Sequence, residues 1–167
     1  MGATPPIVNP ACSLTNAAPA LPIGSPISAT TRASLTRLAP LVVDKWLALQ
    51  AGARGASTLQ QVKRLMQHPA FSIKNPNKVR SLIGTFCHGN PAGYHAADGS
   101  GYAFWAEQVT ALDAINPQVA ARLARAAAQW KRLEPARRAR LRAALEGIAA
   151  RPGLSKDTFE VVRTSLA

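Results

Sequence analysis

The sequence predicts an all-α protein of stacked antiparallel helix pairs, α-solenoid-like, behind a disordered amino-terminal segment. From Leu41 onward apolar residues recur at helical spacing, and no alternating run long enough for a strand occurs. Two apolar stripes begin just after Asn75-Pro76 and Asn116-Pro117, pairs that join a capping side chain to a residue suited to the first helical position. The expected caps Asn75, Asn116 and Ser155 lie 41 and 39 residues apart, near the period of two-helix solenoid repeats, although the repeats are not alike in sequence.

Residues 1–40 form the first segment. They hold seven of the thirteen prolines and only two charged residues, Arg32 and Arg37, so neither a helix nor a core can be built from them. A disordered or loosely attached leader is expected; a proline-rich ligand segment is the functional alternative, but no Pro-x-x-Pro with an adjacent basic residue supports it. The second segment, residues 41–167, is the helical domain. Leu41, Val42, Trp46, Leu47 and Leu49 suggest a short amphipathic helix ending at the Gly52–Gly55 loop. Ser57-Thr58-Leu59-Gln60 has capping-box spacing before a helix with Leu59, Val62, Leu65 and Met66 on its apolar face, stopped by His68-Pro69.

The stretch Asn75–Phe86 carries two unlike faces. Val79, Leu82, Ile83 and Phe86 fall at i, i+3, i+4 and i+7 and make a buried stripe, while Asn77, Arg80 and Gly84 make a second one. A mid-helix glycine costs about 1 kcal/mol against alanine, which asks for a reason such as close approach of another backbone. The second stripe is therefore the candidate contact face.

After a break at Cys87–Pro91 and a short turn or helix at Ala92–Ala97, a loop over Asp98–Gly101 leads into a helix with Tyr102, Trp105, Val109 and Leu112 inward. Asn116 caps the next helix, lined by Val119, Leu123, Ala127 and Trp130. Pro135–Ala150 follows with Leu141, Ala144, Leu145 and Ile148 inward. Ser155 caps the last helix, where Leu154 is expected to staple to Phe159, with Val162 and Leu166 completing the face.

Composition narrows the function. Twenty Lys and Arg against eight Asp and Glu give a formal net charge of +12, which suits an anionic partner such as nucleic acid or a membrane surface without choosing between them. Two distant cysteines, Cys12 and Cys87, are expected as free thiols in a reducing compartment. No run of 18 apolar residues indicates a membrane span, and the proline-broken amino terminus does not read as a signal peptide, so a cytoplasmic location is the default expectation.

Catalytic patterns are missing from these residues. His68, His88, His95 and Cys87 have no spacing that aligns metal ligands on one helix face, and no third group orients a Cys87–His88 or Cys87–His95 pair. No catalytic residue and no metal ligand is expected. Eight basic residues between Arg122 and Arg142 stand against one acid, Glu134; they could track phosphates, but no aromatic-interleaved surface accompanies them, and a solvated helical face is the simpler reading.

From Asn75 to Phe86, and through Asn90-Pro91-Ala92 and His95-Ala96-Ala97-Asp98-Gly99-Ser100-Gly101-Tyr102, the sequence resembles the carboxy-terminal domain of bacterial aminopeptidase N, a zinc metallopeptidase family. The pattern runs from Asp44-Lys45-Trp46, through His68-Pro69-Ala70-Phe71 and Asn116-Pro117-Gln118-Val119-Ala120, to Leu166-Ala167. The family's zinc helix, His-Glu-x-x-His, and its substrate-amine loop, Gly-Ala-Met-Glu-Asn, are absent, and no glutamate precedes Glu107. The resemblance thus implies a fragment without the catalytic domain, joined at about Leu41 to a leader unlike the family. A frameshift or misplaced start would produce such a join, and family-like coding sequence upstream in another frame would be its sign.

The resemblance further implies a non-catalytic role: closing over the catalytic domain, which holds the zinc, and lining the cavity through which peptides reach it. Asn77, Arg80 and Gly84 would then form part of that cavity wall, with Lys78 and Arg80 making a positive surface for peptide carbonyls or the terminal carboxylate. The partners implied are the catalytic domain and a peptide. A free-standing helical interaction module and a basic nucleic-acid-binding domain are the alternatives.

Overall fold

The computed structural model describes residues 40–167, and every regular element among them is helical. The expectations for the leader and for Cys12 lie outside the described residues. Helix α1 (Pro40–Gly52) buries Val43, Leu47 and Ala51, spaced i, i+4 and i+8, against α2 (Thr58–Met66) and the helices that follow. Leu41, Val42 and Leu49 are expected on the apolar face. They are instead 76%, 50% and 74% exposed, because a helix presents only one stripe to the core and Val43, Leu47 and Ala51 occupy it.

The capping box at Ser57 does not form. Ser57 has φ −89° and ψ 1°, not the extended backbone of a cap, and its side chain makes no cap hydrogen bond. Thr58 closes the turn instead, its buried hydroxyl lying 2.8 Å from both the Ala53 and Gly55 carbonyls. Asn75 behaves as expected, its side-chain oxygen accepting from the Asn77 backbone N–H at 3.0 Å. The helix it opens is continuous but changes pitch: α3 (Pro76–Val79) passes into a π-helical segment, Arg80–Gly84, and then α4 (Thr85–Gly89). Val79, Leu82, Ile83 and Phe86 are all buried.

Asn90-Pro91 proves to be a further Asn-Pro cap, opening the single turn α5 (Pro91–Tyr94). Asn90 is 2% exposed; its Oδ1 accepts from the Gly93 N–H, and its amide donates to the Ala51 and Ala53 carbonyls at 3.0 and 2.9 Å. It thereby satisfies the carboxy-terminal end of α1, whose last carbonyls have no partner within their own helix. Central to the molecule is α6 (Ser100–Asp113), entered through Gly99 at φ 78° and buried at Tyr102, Phe104, Trp105, Val109 and Leu112. Phe104 meets Phe86 edge-on with centroids 5.6 Å apart, joining the two halves of one core.

Helix α7 (Pro117–Ala124), capped by Asn116, packs on α6, and the Trp105 indole donates to its Leu123 carbonyl at 2.9 Å. The sequence predicts a helix that continues to Trp130. It breaks into two 3-10 turns, Arg125–Ala127 and Trp130–Arg132, and the Trp130 indole donates to the Ser165 carbonyl at 2.7 Å. Helix α8 (Pro135–Ala149) buries Leu141, Leu145 and Ile148, and α9 (Lys156–Leu166) packs on α7 and α8. On α9 the inward positions are Thr158 and Val162; Phe159, expected in the staple, is 41% exposed.

Ser155 caps α9 as expected and is itself gripped by Asp113, which accepts from both its N–H and its hydroxyl. Burial pushes the Asp113 carboxyl up, but hydrogen bonds from Ser155 and Thr158 outweigh it and hold the group below its ordinary value. The charged form is therefore stabilised by folding. That stabilisation is fully present above the unfolded value of about 4 and is lost as pH falls through the folded value. We expect Asp113→Asn to flatten the acid side of the stability–pH profile in urea titrations between pH 7 and 3; an unchanged slope would contradict this.

Candidate functional site

The outer face of the pitch change forms one wall of a small groove. Arg80, Gly84 and His88 follow one another at i, i+4 and i+8, with Pro76 and Val79 at one end; Val119, Arg122 and Leu123 of α7 form the opposite wall. Its volume is about 80 Å³. An N-cap and an amphipathic stripe fix each wall: Asn75 starts one helix, Asn116 the other, and burial of Leu82, Ile83 and Phe86 on one side and Ala120 and Ala124 on the other turns Arg80 and Arg122 outward.

Of the three residues singled out in the sequence, the structure brings Arg80 and Gly84 to this groove. Asn77 is exposed on the first turn of α3 and does not line it. The expected reason for Gly84 is absent. A methyl group built there would meet only the Arg80 side-chain stem at 3.7 Å and the Val79 carbonyl at 3.7 Å, both ordinary contacts, so no other part of the described chain presses on it. Gly84 instead ends a π-helical turn, a feature frequent at functional sites because it re-aims side chains within a helix.

Lys78 does not join Arg80 in a positive surface. It is buried, with Nζ 2.7 Å from Asp44 of α1, so its charge is spent inside the fold. Arg122, expected in the solvated basic cluster, takes its place opposite Arg80. Its position one turn after Val119 on a capped helix was the available signal. His88 adds little charge at neutral pH: partial burial pulls the imidazole below its ordinary value, against a hydrogen bond to the Arg122 backbone that raises it. The groove is thus two guanidinium groups over an apolar floor, lined by no acidic side chain. Such a site favours a carboxylate or another oxyanion, which guanidinium binds in a bidentate manner.

Nothing in the groove supplies a nucleophile with a base. Cys87 is buried, and burial raises its thiol well above the ordinary range. His68 accepts from the Ala70 N–H, and the His95 ring lies 2.8 Å from the Tyr102 hydroxyl. Among the described residues no three of His, Cys, Asp and Glu are grouped to hold a metal ion, so the residues do not fit a zinc site. Of the basic cluster, Arg137 and Arg142 pair with Glu134 and Glu146, and Arg138 donates to the Leu133 carbonyl. No helix among the described residues is long and apolar enough to cross a membrane.

The family model described as a domain of unknown function, DUF3458_C, ARM repeats, matches residues 28–167. The chain is 46% identical over 127 residues to aminopeptidase N of Escherichia coli (strain K12), covering 76% of this chain and 15% of that protein. It is 43% identical over 130 residues to aminopeptidase N of Caulobacter vibrioides, covering 78% and 15%. Among solved structures, Legionella pneumophila aminopeptidase A, determined in complex with aspartic acid, superposes with a TM-score of 0.74 at 31% identity, over 82% of this chain and 17% of that one. The chain therefore spans about 15% of the length of the curated relatives it matches.

Proposed function

This chain belongs to the DUF3458_C ARM-repeat family, and we propose that it is the carboxy-terminal, non-catalytic helical domain of an aminopeptidase N. In this reading the domain closes over a catalytic domain carried elsewhere, lines the cavity through which peptides arrive, and acts in the cytoplasm. The catalytic part would hold zinc and the peptide's amino end; this chain would contribute no ligand to the metal and no group to the bond-breaking step.

The observation that carries the reading is the juxtaposition of Arg80, Gly84 and Arg122 on one groove. A helical glycine with no intramolecular steric need is a local cost of about 1 kcal/mol, which an approaching peptide backbone would justify. The two arginines would receive the peptide's terminal carboxylate while its amino end is held at the metal. The exposed apolar residues Leu41, Val42 and Leu49 also support a partner domain, since a face left apolar is normally covered.

The test is a graft. Residues 40–167 replace the matching segment of a full-length aminopeptidase N, and alanyl arylamide hydrolysis is measured. Hydrolysis by the graft, with none by the present chain plus zinc, is the expected result. Hydrolysis by the chain alone would overturn the non-catalytic role, and a well-folded but inactive graft would overturn the domain assignment.

A further inference from the structure

We propose that the cavity beside the two 3-10 turns is a second binding site, for a small molecule that joins an oxyanion to a flat apolar body, such as an aryl phosphate or aryl carboxylate. The cavity has a volume of about 350 Å³, within the range of small-ligand pockets, and is separate from the Arg80–Arg122 groove except for a shared wall at His88. Tyr94, Trp130, Leu133 and Leu141 give it one apolar side, and Arg125, Gln129 and Arg132, with His88 and His95, make the rest of it polar. No acidic side chain lines it, and neither Arg125 nor Arg132 is in an ion pair among the described residues.

The second, independent observation is Tyr94. It is 1% exposed, lines this cavity, and its hydroxyl has no hydrogen-bond partner among the described residues. Buried hydroxyls are normally satisfied, because leaving one unpaired forfeits its hydration without return. Three aromatic neighbours, His95, Tyr102 and Trp105, hold the Tyr94 ring by edge contacts, so the hydroxyl is fixed in place rather than free to turn to solvent. A ligand oxygen would give it a partner, while the guanidinium groups of Arg125 and Arg132 neutralise the charge and the aryl body covers Leu133 and Leu141.

The site does not depend on the proposed function, and its test separates the two. The full chain, isotopically labelled, is titrated by NMR with phenyl phosphate, benzoate, phenol and inorganic phosphate. The expected result is saturable shifts of the Trp130 indole and the Arg125 and Arg132 side chains with phenyl phosphate or benzoate; the tighter of the two names the oxyanion. Binding should weaken at least tenfold in Arg125→Gln/Arg132→Gln and in Tyr94→Phe, and be unchanged in Arg80→Gln/Arg122→Gln. The arginines are exposed, so the variants should keep the native spectrum. Absence of saturable shifts, equal binding of phenol, or loss confined to the Arg80→Gln/Arg122→Gln variant would overturn the proposal.

Discussion

Gly101→Ala should lower stability by roughly 3 kcal/mol or more, enough to consume much of the stability of a domain this size. A methyl group at position 101 would lie 2.3 Å from the Tyr94 carbonyl oxygen, 2.6 Å from that of Gly93 and 2.8 Å from the Tyr94 carbonyl carbon. These are backbone atoms and cannot swing aside as a side chain would. Relief requires moving α5 off the start of α6, which would disturb the Tyr94 contacts with Tyr102 and Trp105 and the Phe86–Phe104 contact next to them. Gly84→Ala is the control: helical dihedrals and ordinary contacts leave room for the methyl, and stability should hold or rise by about 0.5–1 kcal/mol. Urea unfolding of both variants checks the pair. A Gly101→Ala midpoint close to that of the native chain would contradict this packing of α5 on α6.

Most of the fold was legible because its signals are local. Asn75, Asn116 and Ser155 cap through their own side chains, and the stripes Val79–Phe86, Tyr102–Leu112 and Leu141–Ile148 follow from a single helical period. The misreadings arose where the outcome depends on distant atoms. Leu41 and Leu49 look as apolar as Leu47, and only the placement of α2 and the π-helical segment decides which of them is covered. Lys78 is as basic as Arg80, but Asp44, far away in sequence, claims it. Ser57 has the right residue type and spacing for a cap but not the backbone conformation, and the Thr58 hydroxyl, between the Ala53 and Gly55 carbonyls, closes the turn instead.

The same division holds at the groove. Arg80 and Gly84 could be picked out from one helix, whereas Arg122 reaches them only through the packing of α7 across from Arg80. The change of pitch at Arg80–Gly84 had no signature in residue type, since Arg, Ser, Leu, Ile and Gly in that order serve an α-helix equally well. One wall is therefore legible in the sequence, whereas the residues of the other look there like a solvated basic face.

The second large effect concerns that pair of walls. In the graft carrying residues 40–167, Arg80→Ala/Arg122→Ala should raise KM for peptides with a free terminal carboxylate by about 10- to 100-fold. That corresponds to losing charge-assisted hydrogen bonds of roughly 1.5–3 kcal/mol. The chemistry itself should be spared, because neither arginine is proposed to touch the reacting atoms. An alanyl arylamide has no carboxylate to offer the groove, and an amidated peptide has lost its charge, so both should be hydrolysed as before.

The most direct measurement is therefore the ratio of KM for one peptide, long enough to reach from the metal to the groove, in its acid and amidated forms, with and without the double substitution. The native graft should prefer the acid, and the double substitution should abolish the preference. A preference that survives the loss of both arginines, or equal KM values for the two forms in the native graft, would contradict it.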